Sequence, residues 1–575
     1  MSLLLVTTIF LPLAGAVALA AVSNRDRSLI RLIALAVTLL TLIGAAVVVA
    51  NYPADGKLPE SGAYAAADLA WISGPEGDSA DTAAVPTKWL PDVRFRVGLD
   101  GLGVWMYGLA ALLMVTAVLV SWEAIEDRPA LFYGMLLLLE SGCLGVFAAR
   151  DLLLFYIFFE FTLIPLFFLI GIWGSEQRRY AAIKFFLFTL AGSVLTFLGM
   201  LAIVLWDAQQ TGGGLRFSIP DLTSGLARHP LPVAWQLWIF LALFAGFAIK
   251  VPLFPLHTWL PLAHVQAPTA GSVILAGVLL KIGTYGFVRF NLPLLPEASA
   301  YFMPAIMTLS VAGIIYGALV ALAQSDIKRL IAYSSVSHLG YCMLGLFAFN
   351  PLGMQGGVLQ MVNHGLSTGG LFALVGMLYE RYHTREIAQY GGLARRLPRL
   401  SCLMLLFTFS SIGLPGLNGF AGEFLILIGT FQRGMMEAAG SSRFLLQTVA
   451  VLSVSGVVLG AWYMLSLVRR VFFGTLREPA HQGHDSQAEH GPHDLTAREL
   501  AALLPLVVFV FWIGLQPDYF LKRMAPTLNP IAATAARPLQ TQSFVQPRAQ
   551  VVDPTGPAAT DRSAAQLTLN NAEQR

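Results

Sequence analysis

The chain has 575 residues, 56% of them hydrophobic and 12% charged, with a mean hydropathy of +0.68. A soluble domain carries roughly 25% charged residues, so the composition excludes one and points to a polytopic membrane protein. The net charge of +3 is too small for a nucleic-acid binder, and the charges fall in the gaps between apolar runs.

Apolar stretches of about 20 residues, the length a helix needs to cross the hydrocarbon core, centre near residues 12, 40, 110, 140, 162, 192, 245, 279, 312, 339, 367, 411, 459 and 507. These about fourteen spans make the fold all-α. The first, MSLLLVTTIFLPLAGAVALAAV, ends in small residues as a signal peptide does. No basic residue precedes its apolar core and Arg25, Arg27 and Arg31 follow it, so it reads as a retained helix. Residues 1–130 hold the N-terminal helices and a loop, Asn51 to Val97, whose acidic balance and Gly, Pro and Ala content suggest the outer side and little fold of its own. Residues 131–291 and 301–474 read as two five-helix units. Residues 475–524 read as a cytoplasmic loop and last span. Residues 525–575, rich in Ala, Pro, Gln and Thr, read as a disordered tail. The loop His481 to Asp494 carries four histidines without regular ligand spacing, so it reads as solvated and no metal site is assigned.

Arg25/Arg27/Arg31, Arg178/Arg179/Lys184, Lys328/Arg329, Arg381/Arg385/Arg395/Arg396/Arg399 and Arg469/Arg470/Arg477 share one side if the spans alternate. The positive-inside rule makes that side cytoplasmic and puts both termini outside.

Two spans are interrupted by helix breakers beside a charge, Phe247 to Pro255 (FAIKVPLFP) and Ser411 to Glu423 (SIGLPGLNGFAGE). Proline removes a backbone donor and clashes with the preceding turn, and such backbone persists in a membrane only inside protein or along a wet cavity. Broken helices in corresponding positions of two halves indicate inverted repeats. The two breaks are about five spans apart, which gives the five-helix units opposite directions.

Lys281 lies in the otherwise uncharged run AGSVILAGVLLKIGTYGFV, roughly 16 Å from its start at 1.5 Å per residue, too deep for its stem to reach the headgroups. Lys250, Glu160, Glu140 and Glu423 occupy similarly apolar surroundings. An intramembrane ion costs roughly 2.5–3.5 kcal/mol on insertion scales and marks a functional site by default. Pairing Glu160 with Lys250 would lower the cost of both, whereas Glu140 has no obvious partner. Burial favours a neutral amine and a nearby carboxylate favours a charged one, so a buried lysine loads or releases a proton when its carboxylate neighbour moves. His338 in SSVSHLGY and His364 in MVNHGLSTGG sit in consecutive spans. Each alone fits a hydrogen-bonded core histidine as well as a relay, but imidazoles titrate near physiological pH and the two fall between Lys281 and Glu423 in chain order. His257 and His264 flank a loop and are weaker candidates.

Cys143, Cys342 and Cys402 lie singly in apolar runs, no C-x-x-C-H occurs, and neither a Walker loop nor a G-x-G-x-x-G after a strand is present. No cofactor is expected in this chain, and redox or nucleotide chemistry belongs to partner chains.

The segments FFEFTLIPLFFLIGIWG, AIKVPLFPLHTWLPLAHVQAPTAGSVILAGVLLKIGTYG, QSDIKRLIAYSSVSHLGY, LYERYHTREIAQYGGL and GLPGLNGFAGEF resemble the antiporter-like membrane subunits of respiratory complex I, the NADH:quinone oxidoreductase, over roughly residues 90–475. The resemblance implies fourteen transmembrane helices with two inverted five-helix repeats. It implies a proton path through Glu160, Lys250, Lys281, His338, His364 and Glu423. It also implies a bacterial inner-membrane location, sister antiporter-like subunits as partners, and NADH, FMN, iron–sulfur clusters and quinone bound elsewhere in the complex. The position of Glu423 is typically lysine in sister subunits and in multisubunit sodium/proton antiporters. The chain departs from the family's W-L-P-D-A-H run at Leu262, and the polar tail after residue 520 offers no long lateral helix. A multisubunit cation/proton antiporter and a membrane-bound hydrogenase-type complex are the alternative settings.

Overall fold

The computed structural model describes residues 1–59, 62–72, 91–212, 214–436, 441–479 and 493–544. Two helices, α1 (Ser2–Ala20) and α2 (Arg27–Ala50), precede a hairpin of β1 (Tyr64–Ile72) and β2 (Pro91–Leu99). Next come α3 (Gly103–Val120), α4 (Pro129–Ala148), α5 (Leu152–Phe161) and α6 (Leu163–Trp173), the last two parted at Thr162, and then α7 (Arg178–Thr211). A short strand β3 (Leu215–Arg216) and helix α8 (Ile219–Arg228) lead to the broken pair α9 (Val233–Lys250) and α10 (Trp259–Gln266). The central helix consists of α11 (Thr269–Ile274), a π-helical turn Leu275–Leu279, α12 (Leu280–Gly286), a second π turn Phe287–Asn291 and α13 (Leu292–Leu294). After it come α14 (Pro296–Leu322), α15 (Ile327–Leu346), α16 (Pro351–Tyr382), the broken pair α17 (Pro398–Ser411) and α18 (Asn418–Met436), α19 (Ser441–Phe472), α20 (Ala497–Leu515) and α21 (Pro517–Phe544).

Among the described residues twelve helices are long and apolar enough to cross a membrane. They fall on twelve of the expected centres, and the other two, 339 and 411, fall on α15 and on α17 with α18. These are the elements that carry His338 and Glu423. Within α4 to α13 the proline break lies between α9 and α10, and within α14 to α19 it lies between α17 and α18. The central helix and α16 are buried along their whole apolar windows, whereas α1, α2, α19 and α20 leave most of theirs outward.

Two expectations are corrected. The loop Asn51 to Val97 does fold: β1 and β2 pair antiparallel, with Ala67 opposite Val97 and Leu69 opposite Phe95, and β2 also pairs with β3. The signal was present, since Val93, Phe95 and Val97 alternate with Asp92, Arg94 and Arg96, the period of a half-buried strand. Residues 525–544 of the supposed disordered tail are helical, continuing α21. Its prolines Pro526, Pro530 and Pro538 obscured a buried stripe at helical spacing, Phe520, Met524, Leu528, Ala532 and Ala535. This helix packs on the hairpin side, against α13, α14 and α16. Thr527 accepts from the Gly101 N–H at 3.0 Å, and Gln355 donates to Asn529 at 2.8 Å. Residues 545–575, and residues 480–492 of the histidine-rich loop, lie outside the described residues.

The hairpin side is tied to the helices by a buried ion cluster. Asp100 accepts from Arg289 through both oxygens at 2.6 and 2.8 Å and from Arg150 at 3.0 Å, and its Oδ1 accepts the Gly103 N–H at 3.0 Å. Burial alone would raise the Asp100 pKa, but the charge and hydrogen bonds of Arg289, with Arg150 and Gly103, hold the carboxyl well below the usual carboxylate range.

Candidate functional site

The site is built around the two breaks and the central helix between them. At the first break, Pro252 and Pro255 end α9 just past Lys250. The freed backbone is satisfied locally: Trp259 donates its indole N–H to the Ile249 carbonyl at 2.9 Å, and Leu253 N–H reaches the Ala248 carbonyl at 2.9 Å. Lys250 is buried, with its Nζ 4.6 Å from the centre of the Phe159 ring, a cation–π arrangement. It borders a narrow gap too small for a water molecule, lined also by Thr162, Phe185, Trp259 and the π turn residues Leu275 and Leu279.

Lys281 stands in α12 between the two π turns and is 0% exposed. Its Nζ donates to the Ala276 carbonyl inside the first π turn and lies 2.6 Å from Nδ1 of His364 on α16. The His364 and His338 rings are 5.6 Å apart. His338 Nδ1 is 3.1 Å from Glu423 Oε1, and the same oxygen accepts from Gln360 at 3.0 Å. The Tyr463 hydroxyl lies 3.4 Å from His338 Nε2. Lys281, His364, His338 and Glu423 thus stand in one file of titratable groups, in which the two histidines take the reverse of their order in the chain.

The second break presents Glu423 to that file. Gly413 turns the chain with φ 72°, which favours glycine, and a Cβ there would stand 3.1 Å from Glu423 Oε2 and crowd the carboxylate. Asn418 accepts from Ser410 at 2.5 Å, and Asn363 donates to the Asn418 carbonyl at 2.7 Å. Ser367 and Ser410 share a hydrogen bond at 2.5 Å. A small cavity of about 10 Å³ lined by His338, Gln360, Asn363, His364 and Ser410 lies beside the file, room for no more than about one water, and its polar lining offers the two to four partners a water needs. Sequence reasoning missed Gln360, Asn363, Ser410, Asn418 and Tyr463. The available signal was a run of amides and hydroxyls in otherwise apolar helices.

Two expectations fare differently. Glu160 and Lys250 form no ion pair within 4.0 Å; Glu160 is half-buried on an outward face shared with exposed Ile157 and Ile164, near enough to act on Lys250 electrostatically. Glu140 is 0% exposed and neither carboxyl oxygen has a hydrogen-bond partner among the described residues. It lies beside Tyr107 and Cys143 and does not join the file.

The family model described as NADH:quinone oxidoreductase/Mrp antiporter, TM, matches residues 149–463, more than half of the chain and nearly all of the elements just described. The chain belongs to this family. Among members of the NADH:quinone oxidoreductase/Mrp antiporter family, it is similar to NADH-quinone oxidoreductase subunit M of Rhodobacter capsulatus, with 41% identity over 527 residues, covering 90% of this chain and 94% of that one. Among solved structures it is similar to a chain of respiratory complex I from Thermus thermophilus with bound NADH, at a TM-score of 0.75 and 34% identity, covering 93% of this chain and 99% of that one. A chain of the Mrp complex from Dietzia sp. DQ12-45-1b shares the fold, with a TM-score of 0.71 and 21% identity over 95% of this chain and 99% of that one.

Proposed function

We propose that this chain is the subunit M-type, proton-translocating membrane subunit of an NADH:quinone oxidoreductase of the complex I kind. The observation that carries the reading is the file from Lys281 through His364 and His338 to Glu423, closed at hydrogen-bond distance at both ends. Protons enter at the Glu160 and Lys250 end, pass to Lys281, and move through the two imidazoles to Glu423. The chain transfers no electrons. Its cysteines stand apart on α4, α15 and α17 and are unsuited to hold a cluster together. Electron transfer, with its NADH, FMN, iron–sulfur clusters and quinone, is assigned to partner subunits of the complex, which also include sister antiporter-like subunits in the membrane. Electron transfer there changes the charge beside Glu160 and shifts Glu160 relative to Lys250, and the altered field moves the proton on Lys281. The arginine-rich side faces the cytoplasm of a bacterial inner membrane, with both termini outside.

The glutamate at position 423 favours this reading over a cation/proton antiporter subunit. The test is Lys281→Ala in membrane vesicles. The complex assembles on a native gel and oxidises NADH, while NADH-driven proton pumping falls sharply. Normal pumping from a normally assembled complex overturns the reading, and sodium-dependent proton flux without NADH would favour the antiporter.

A further inference from the structure

On the arginine-rich face, far from the file, a cavity of about 440 Å³ opens where the packed pair α14 and α19 ends. Small-molecule sites span about 300–1,000 Å³. Its walls come from the end of α14, the loop joining α16 to α17, and the last turn of α19 with the chain that follows. Three charged side chains line it: Glu386 from the loop, Arg470 from α19 and Arg477 beyond it. Arg477 is fixed in the wall, because its N–H donates to the Gly391 carbonyl at 2.8 Å, its carbonyl accepts from Gly391 at 3.0 Å, and its guanidinium donates to the Ala388 carbonyl at 3.3 Å. Elsewhere on this face Arg385, Arg396 and Arg381 each pair with a carboxylate. Glu386, Arg470 and Arg477 share one cavity yet form no ion pair within 4.0 Å among the described residues. Below the opening the surface turns apolar, with Leu319 in the last turn of α14 and Trp462 and Leu465 on α19 exposed. Gly456 packs against Ile314 and the two helices run in the same direction, so Trp462 and Leu465 stand about level with that last turn.

An arginine at the inner edge of a membrane protein needs no more than the bulk headgroup layer. That accounts for Arg470 but not for a carboxylate in the same wall, since Glu386 repels the anionic headgroup that two arginines attract. A ligand carrying both charges satisfies both. A phosphodiester accepts charge-assisted hydrogen bonds from guanidinium groups, and a primary ammonium has three N–H groups to donate to a carboxylate. The quaternary ammonium of choline has none. The apolar surface under the opening suits a headgroup that brings acyl chains with it, as basic pockets between membrane helices accept lipid headgroups.

We propose that this cavity binds the headgroup of phosphatidylethanolamine, the phosphate on Arg470 and Arg477, the ammonium on Glu386, and the acyl chains along Leu319, Trp462 and Leu465. The bound lipid ties the α16–α17 loop to the end of α19. The site is independent of the proton path, and the experiment reads lipid contact rather than pumping. The whole complex, its assembly scored on native gels, is placed in vesicles holding phosphatidylethanolamine, phosphatidylglycerol or phosphatidylcholine with a photoreactive group in the acyl chain, and crosslinked peptides are located by mass spectrometry. Phosphatidylethanolamine should label the ends of α14 and α19 several-fold more than the other two lipids. Glu386→Gln should bring its labelling down to that of phosphatidylglycerol, and Arg470→Gln with Arg477→Gln should lower labelling by both. Equal labelling by the three lipids in the unaltered complex overturns the site, as does a preference that survives Glu386→Gln. Full displacement by an equal concentration of soluble glycerophosphoethanolamine overturns the lipid as occupant. If the double arginine variant yields no complex, the Glu386→Gln comparison decides alone.

Discussion

Glu423 Oε1 has two neighbours of different kinds, the amide of Gln360 and the ring of His338. The amide donates whatever the protonation state of the file, whereas the imidazole donates only from the right tautomer or as a cation. On the proposed proton path, Gln360 holds the carboxylate in place while His338 exchanges protons with it. Replacing it with leucine removes a neutral donor of similar length from a buried acceptor, at a cost of about 1–3 kcal/mol. The expected outcome for Gln360→Leu is an assembled complex with slower pumping and undiminished NADH oxidation with an artificial acceptor; unchanged pumping would show that His338 alone suffices. At this scale the sequence disclosed the charged members, because Lys281, His338, His364 and Glu423 are anomalies in apolar runs. Gln360, Asn363 and Ser410 are each tolerated singly in a well-packed helix, so only their clustering in otherwise apolar helices could have marked them out. Nor does a charge in a run show which way it faces, which is why Glu160 and Lys250 were expected to meet and do not.

Among the elements, the central helix sets the spacing between the two lysines. Gly283 brings it against the end of α9: a Cβ there would stand 2.7 Å from the Phe247 carbonyl oxygen and 2.8 Å from the Val251 nitrogen, backbone atoms that cannot swing aside. Gly283→Val should cost about 1–3 kcal/mol or more by overpacking, push α12 from the break that carries Lys250, and lower both the yield of complex and its pumping. A full yield with normal pumping would mean that the helices separate freely there. The apolar run gave this helix its place and length in advance, but the π turns at Leu275–Leu279 and Phe287–Asn291 left no mark in composition. The strand β2 was legible by its alternation, while β1 (YAAADLAWI) was hidden by its small residues.

For the whole molecule, Asp100 joins three distant parts of the chain, the end of the hairpin, the α4–α5 junction through Arg150, and the central helix through Arg289. Removing the one anion leaves two guanidinium groups facing each other in a buried place, and breaking such a cluster costs about 3–5 kcal/mol. Asp100→Asn should lower the yield and thermal stability of the complex while leaving the residues of the proton file untouched. Because the Asp100 carboxyl is depressed, its contribution is complete above the ordinary carboxylate range near pH 4 and is lost as pH falls through the lower folded value. The native complex should show this acid-dependent component in thermal melts and Asp100→Asn should lack it; parallel pH profiles would sink the assignment. Twelve of the expected spans were open to sequence reasoning, since hydropathy alone reports them among the described residues. The helix α21 was not, because its prolines broke the pattern that its buried stripe preserves.

The two π turns separate two coordinates of Lys281 that an unbroken α-helix would lock together. Depth in the membrane is fixed by the number of residues from the helix ends. Azimuth, the compass direction in which the amine points, is fixed by how many residues each wide turn takes up, and a one-residue difference rotates the segment by about 100°. Seven residues, Leu280–Gly286, are thus phased independently of both flanks. Depth was what the apolar run disclosed. Direction, toward His364 rather than lipid, is a property of the turns on either side.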